Sequence, residues 1–440
     1  MSLRAKSGRQ SATTCGTLCS PIQPDRYAAH FQFRIGNYPH LLSAYGSATA
    51  DAVVSAVCDR LAQVVRNDGS IERVAADLIE IRLLSLPTLG AEPDGSACEA
   101  WVGDVCETLP TVPFEAAAGP VHLWLSGRWR LASDGAEFGE WCFPFVGASP
   151  GQGDWGARYR RDMALASRVL ATLEPSGIND PDGDLQLCWR VVSNVEDGRV
   201  AYFETLARLL DRDGALSAAD DWILALERTG MVRLLDRHMV RQVLTDLEQA
   251  PDEVSLAVKL SALSLCVDPW WADVMARLCA RPNVTRRLLI EITETAAVPD
   301  ISRAIALVDQ LRRLGCRIVM DDFGAGHASI PQVLAFAPNI VKVHRIFLWR
   351  AGTSSRDQLL FARLSALAAS LGSIVVAKGV ETPEQSRIAR DAGALWQQGY
   401  FWGRPSYCRP WRQTWRHSLA VLDRPTSRCR PASLCFAVGQ

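Results

Sequence analysis

Eight residues of this chain sit where short apolar runs stop: Glu204, Lys259, Glu291, Asp321, Asp322, Lys342, Lys378 and Glu381. In parallel α/β folds, ligands bind at the C-terminal ends of the strands. A lone strand-end aspartate commonly does no more than cap the next helix. Eight such residues from six runs exceed what capping requires. Carboxylates that converge in one mouth repel one another and are held by divalent cations or by lysines and arginines. Clustered carboxylates with two metals are the usual equipment for phosphodiester hydrolysis. The lysines add information, because only four of the 47 basic residues are lysine: Lys6, Lys259, Lys342 and Lys378.

The elements that would position these residues have a regular rhythm. Strand-like runs at Val200–Thr205, Val254–Leu260, Arg287–Thr293, Arg317–Asp322, Ile340–His344 and Ser373–Gly379 alternate with helical periodicity. The helical segments are Asp236–Glu248, Trp270–Cys279, Ser302–Leu314, Asp357–Leu371 and Pro383–Ala392. Such alternation predicts parallel strands with crossover helices, and the number of units favours a barrel over an open sheet. Upstream, Phe31–Ile35 and His122–Ser126 read as strands, Ile71–Leu84 as a hairpin, and Ala50–Val65 and Tyr159–Leu173 as helices. The Gly-, Pro- and Asp-rich stretch Glu174–Asp184 marks the domain boundary.

Composition narrows the class. Hydrophobic residues make up 48% and charged residues 22% of the 440, and net charge is -1. These values fit globular domains and speak against a globally basic nucleic-acid binder. No apolar run approaches ~18 residues, so no membrane span is expected. The polar start Met1–Gln23 lacks an apolar signal core, and the 13 cysteines lie scattered, mostly in apolar runs. Both features predict a cytoplasmic protein with reduced thiols. Cys15 and Cys19 have no second pair nearby, so no zinc site is expected there. Residues 1–27 read as a disordered arm. In Ser406–Gln440, six arginines (Arg409, Arg412, Arg416, Arg424, Arg428, Arg430) face the lone acid Asp423, which reads as a partly helical Arg-rich tail.

The segments Glu204-Thr-Leu-Ala-Arg208, Glu291-Ile-Thr-Glu294, Asp321-Asp-Phe-Gly324, Lys342-Val-His344, Gly379-Val-Glu-Thr-Pro-Glu-Gln385 and Gln398-Gly-Tyr-Phe-Trp-Gly-Arg-Pro405 resemble the EAL domain family of bacterial cyclic-di-GMP phosphodiesterases. The resemblance implies a modified (β/α)8 TIM-like barrel over residues 178–405 that hydrolyses the dinucleotide with two Mg2+ or Mn2+ ions. Glu204, Glu291, Asp321, Asp322, Lys342, Glu381 and Gln398 match family positions that bind metal, activate water or support the site loops. Arg208 matches an arginine that contacts a substrate phosphate. Residues 28–177 resemble, more distantly, a GGDEF diguanylate cyclase domain of α+β fold. Arg73-Val-Ala-Ala-Asp-Leu-Ile79 falls at its Arg-x-Gly-Gly-Asp-Glu-Phe signature, and Tyr38–Asp51 at its substrate-binding helix region.

Both resemblances are broken at the chemistry. In the cyclase-like region the turn glycines are Ala75 and Ala76, the loop acid is Leu78, and the metal-binding aspartates fall at Arg34 and Gly36, so no cyclase activity is expected. In the barrel a metal-ligand asparagine is Lys259, an acid serving the metal centre is Lys378, an aspartate is His344, and a Gln-Pro-Ile motif reads Arg190-Val-Val192. The changes to Lys259, Lys378 and His344 add about four positive units, as many as two divalent cations carry. The expectation is therefore a catalytically inactive regulator with no metal. It binds cyclic-di-GMP or a protein partner, with Glu204, Arg208, Lys259, Asp322, Lys342, Lys378 and Gln398 as the ligand-binding set. A homodimer is compatible with the family. Two alternatives remain open: an active phosphodiesterase using Mg2+ or Mn2+ at Glu204, Glu291, Asp321 and Asp322, and a nucleotide-independent scaffold.

Overall fold

A computed structural model of the chain describes residues 27–66, 68–85, 94–117, 119–134, 138, 154–173, 185–210, 216–217, 219–325, 330–371 and 374–412. The expected N-terminal arm and all of the tail beyond residue 412 lie outside the described residues. Contacts divide the chain into two compact units, residues 1–161 and 162–440, with the division falling inside the helix Trp155–Ala171.

The first unit is built on an antiparallel sheet. Its strands are β1 (Ala29–Ile35), β2 (Gly69–Ala75), β3 (Leu78–Leu83) and β6 (Leu125–Leu131), in the order β2-β3-β1-β6. A separate short hairpin is formed by β4 (Phe114–Ala116) and β5 (Gly119–Val121). Alternation places Phe31, Phe33 and Ile35 of β1 beside Ile79, Ile81 and Leu83 of β3 on the buried face. Trp101, from the helix Gly95–Thr111, meets Phe31 and Phe33 edge-on at 4.6 and 5.7 Å between ring centres. The hairpin expected at Ile71–Leu84 is present as β2–β3, and it turns at Ala75–Leu78. The strand expected at His122–Ser126 begins only at Leu125. Before it, Asn37 takes the place of a strand neighbour: its amide nitrogen donates to the His122 carbonyl and its amide oxygen accepts from the Trp124 N–H.

The second unit is a closed barrel. Its strands are β7 (Leu185–Asn194), β8 (Val200–Leu210), β10 (Leu256–Ser261), β11 (Leu288–Thr293), β12 (Arg317–Phe323), β13 (Ile340–Val343), β14 (Ile374–Lys378) and β15 (Trp396–Gln398). A short β9 (Leu216–Ser217) pairs antiparallel with the end of β8. The order β10-β11-β12-β13-β14-β15-β7-β8 closes through β8 pairing with β10. Of these eight barrel strands, β7 runs antiparallel to both of its neighbours and the other pairings are parallel. The expected parallel strands and the helices between them are present, with ends shifted by a few residues. The sequence pattern gave no sign of β7, because most of its residues are buried and it has no clean alternation. The helices Ala219–Thr229, Ile330–Phe336 and Arg345–Ala351 were likewise unexpected.

The barrel interior is a layer of apolar side chains: Val192, Tyr202, Ala257, Leu289, Val319, Ile340 and Val376, with Trp396 packed against it. This layer is the floor on which the polar residues stand.

Candidate functional site

Side chains in a strand repeat every two residues on one face. Two residues beyond Tyr202, Ala257, Leu289, Val319, Ile340, Val376 and Trp396 stand Glu204, Lys259, Glu291, Asp321, Lys342, Lys378 and Gln398. On the antiparallel β7 the count runs backwards, from Val192 to Arg190, which is paired in register with Glu204. Each of the eight barrel strands thus sends one polar residue into a second layer directly above the apolar one. Within the ring, Lys259 is the register partner of Glu291, and Lys378 that of Gln398.

β12 contributes two carboxylates. Neighbouring residues in a regular strand point to opposite faces, but the pairing of β12 with β13 shifts register between Met320 and Phe323. Asp322 has φ +54°, in the left-handed region. The bulge turns Asp322 back toward the mouth, so that Lys378 Nζ donates to Asp321 Oδ1 at 2.5 Å and to Asp322 Oδ1 at 2.6 Å. One close approach beside the ring admits only glycine: a Cβ at Gly399 would lie 2.0 Å from the Val380 carbonyl oxygen.

The three buried carboxylates Glu204, Glu291 and Asp321 lie close enough for their oxygens to ligate a single metal ion. Lysines already engage those oxygens. Lys259 Nζ is 2.9 Å from Glu204 Oε1 and 2.7 Å from Glu291 Oε1, and it also bonds Asp321 Oδ2. Lys342 Nζ, fully buried, reaches the same Glu204 Oε1 at 2.8 Å and Glu291 Oε1 at 2.7 Å. Glu204 Oε2 accepts from Gln398 at 3.0 Å, with the Arg190 guanidinium 3.9 Å away. Asp321 Oδ1 belongs to Lys378. Of the triad's six oxygens, only Glu291 Oε2 has no hydrogen-bond partner.

The electrostatics follow. Burial alone would raise the Glu204 carboxyl, but Lys259, Lys342 and Arg190 outweigh it and hold the group well below the carboxylate range. Asp321 is likewise held low against burial by Lys259, Lys378 and Lys342. Glu291 goes the other way. Burial, reinforced by the charges of Glu204 and Asp321, outweighs Lys259 and Lys342 and pushes it up to about 8. For Lys259, burial is overcome by Asp321, Glu204 and Glu291, so its ammonium is held well above the ordinary lysine value. A protonated lysine has no lone pair for a cation, and its charge repels one. With the oxygens committed to ammonium groups, the residues present do not fit a divalent pair.

The remaining expected residues divide. His344 caps the helix Arg345–Ala351, its Nδ1 accepting from the Ile346 N–H at 3.3 Å, and its Nε2 lies 3.8 Å from Asp322 Oδ1. Burial, with the nearby Lys378 and Arg345 charges, lowers its pKa despite the opposing pull of Asp322. Arg208 lies four residues beyond Glu204 on the same face of β8, because that strand continues past the ring. Among the described residues Arg208 makes no ion pair with the carboxylates, and it donates to the Ala207 carbonyl at 2.8 Å. Glu381 is exposed and stands apart, past the end of β14. Arg190 was missed as a member of the site. Its position in the altered Arg190-Val-Val192 motif was the available signal, but its inward direction depended on the unrecognised β7.

The family model for the EAL domain matches residues 181–405, and the chain belongs to that family. Cyclic di-GMP phosphodiesterase NbdA of Pseudomonas aeruginosa is 30% identical over 228 residues, 51% of this chain and 29% of that protein. The uncharacterized protein y4lL of Sinorhizobium fredii is 24% identical over 394 residues, 88% of this chain and 47% of that protein. The chain thus spans less than half the length of these relatives. Among solved structures, the PaMucR phosphodiesterase in its c-di-GMP complex is 25% identical, with a TM-score of 0.47, covering 55% of this chain and 96% of that one.

Proposed function

We propose that the chain is a cyclic-di-GMP signalling regulator that binds the dinucleotide without cutting it. The observation that carries this reading is the engagement of the Glu204–Glu291–Asp321 triad by Lys259, Lys342 and Lys378. Hydrolysis in this family's manner needs metal-activated water, and metals supply most of the transition-state stabilisation. A lysine-filled triad offers neither. Phosphate recognition needs only cations at the mouth. Lys259 and Arg190 are each 26% exposed at the ring, and Arg208 stands above it.

The first unit enters this reading as a cyclase-like domain without its chemistry. Arg34, at one expected metal position, pairs with Asp77 at 3.2 Å, and Arg73 ties up Asp51 at 2.8 Å. No helix among the described residues is long and apolar enough to cross a membrane. The buried thiols of Cys58, Cys98, Cys188, Cys266 and Cys316 support a cytoplasmic site of action.

The test is calorimetry with cyclic-di-GMP in excess chelator, beside a hydrolysis assay with Mg2+ and Mn2+. Binding unaffected by chelator, with no linear product, is the expected result. Turnover within about tenfold of an ordinary family member, a loss below ~1.4 kcal/mol, would favour the phosphodiesterase reading instead. That reading has one observation on its side, the retained acidic triad. No binding at millimolar nucleotide would leave a protein-docking scaffold.

A further inference from the structure

We infer that Lys259 and Lys378 are built-in counter-ions occupying the two cation positions of the ring, and that removing either one turns its position into a divalent-cation site. Asp321 carries the argument. Its Oδ2 bonds Lys259 and its Oδ1 bonds Lys378 at 2.5 Å, so one carboxylate bridges two cations. A bridging carboxylate between two ions is how paired divalent metals are held. Each ammonium then completes its own carboxylate set. Lys259 adds Glu204 and Glu291, the group whose oxygens converge on one point. Lys378 adds Asp322, which the bulge of β12 brings round for it.

The third lysine stands differently. Lys342 is fully buried and bonds the same Glu204 and Glu291 oxygens as Lys259, but its Nζ is 3.9 Å from Asp321 Oδ1. Lys259 and Lys378 are the two lysines that hydrogen-bond Asp321. The carboxyl groups Glu204, Glu291, Asp321 and Asp322 already face as many cationic side chains: Lys259, Lys342, Lys378 and Arg190. A divalent ion added to this ring would leave it with excess positive charge in a buried setting, which is costly.

The inference rests on membership of the EAL family but not on nucleotide binding, so its test contains no nucleotide. Full-length protein is titrated with Mn2+ by calorimetry and by electron paramagnetic resonance, and melted in chelator and in Mn2+. Wild type should bind no Mn2+ in the ring and melt at the same temperature in both. Lys259→Asn should melt about 10 °C lower in chelator, because three buried carboxylates lose a partner. Mn2+ should restore that loss. Lys378→Glu, which leaves Lys259 and its carboxylates in place, should bind Mn2+ about tenfold to a hundredfold more tightly than the detection limit set by wild type. Micromolar Mn2+ binding by wild type overturns the inference. So does a folded Lys378→Glu protein with no gain in affinity, even if Lys259→Asn fails to fold. Failure of cyclic-di-GMP binding would leave it standing.

Discussion

Asp236 shows how much of the mouth is held from behind. It is buried on the helix Val232–Gln249, and its Oδ2 accepts from the Ser261 N–H at 2.9 Å and from Ser264 Oγ at 2.5 Å. Glu227 Oε1, also buried, accepts from Ser261 Oγ at 2.6 Å and Thr295 Oγ1 at 2.7 Å. Together they fix the turn that follows Lys259 on β10. Burial pushes Asp236 up to about 7 in spite of its hydrogen bonds to Ser264 and Ser261. A raised carboxyl pKa means the folded state binds the proton more tightly than the unfolded one. Its stabilising contribution is present below the unfolded value near ~4 and is lost as pH rises through about 7. Asp236→Asn keeps an acceptor oxygen and removes the titration. Its urea midpoint should improve relative to wild type between pH 5 and pH 8. An equal difference at both pH values would refute the assignment.

At the scale of the element, β12 is the informative one. Its bulge costs backbone strain, since a non-glycine residue in the left-handed region is disfavoured by roughly 1 kcal/mol. What offsets it is the pair of contacts from Lys378 to Asp321 and Asp322. Asp322→Gly and Asp322→Ala lose the same carboxylate, but only glycine accepts φ +54° without strain. The glycine variant should be more stable than the alanine variant by about 1 kcal/mol in denaturant melts. The reverse order would show that the bulge is not maintained at Asp322. Helix capping also operates at these strand ends. It accounts for His344, whose ring nitrogen accepts from the Ile346 N–H, and for the Thr382–Gln385 capping box next to Glu381. It does not account for the seven charged residues inside the ring.

For the whole molecule, the start of the Arg-rich tail belongs to the barrel. Ser406 exchanges two backbone hydrogen bonds of 2.9 Å with Trp189 of β7. Arg409 reaches buried Asp246 at 2.7 Å and lies over the Trp189 ring. Trp411 packs on Trp189 and Phe203, with ring centres 5.5 and 5.6 Å away. Trp189 and Phe203 alternate with the inward Arg190 and Glu204, so this segment covers the outer face of β7 and β8. A chain ending at residue 404 should melt well below wild type, having lost a buried ion pair and an aromatic cluster worth about 3–5 kcal/mol together. Deleting residues 424–440 should leave the melting temperature unchanged. A large fall in that second variant would mean that the distal tail also packs on the fold.

The barrel was legible in the sequence because strand and helix periods are local. Val254–Leu260 or Ile301–Leu314 carry their apolar pattern within a few residues. The charged cluster was legible for the same reason, since each member closes an apolar run. The rest depended on contacts between distant strands. Whether Arg190 faces inward depends on β7 closing the barrel between β8 and β15, pairings that no local pattern encodes. Glu381 and Arg208 fit the motifs as well as Glu291 does, yet closure places one outside the ring and the other above it. That Lys259 and Lys378 share Asp321 follows from the stagger of the five strands from β10 to β14 and one bulge. Sequence spacing along one strand fixes direction within that strand only. Which charges meet across the mouth was decided by the register of the closed sheet.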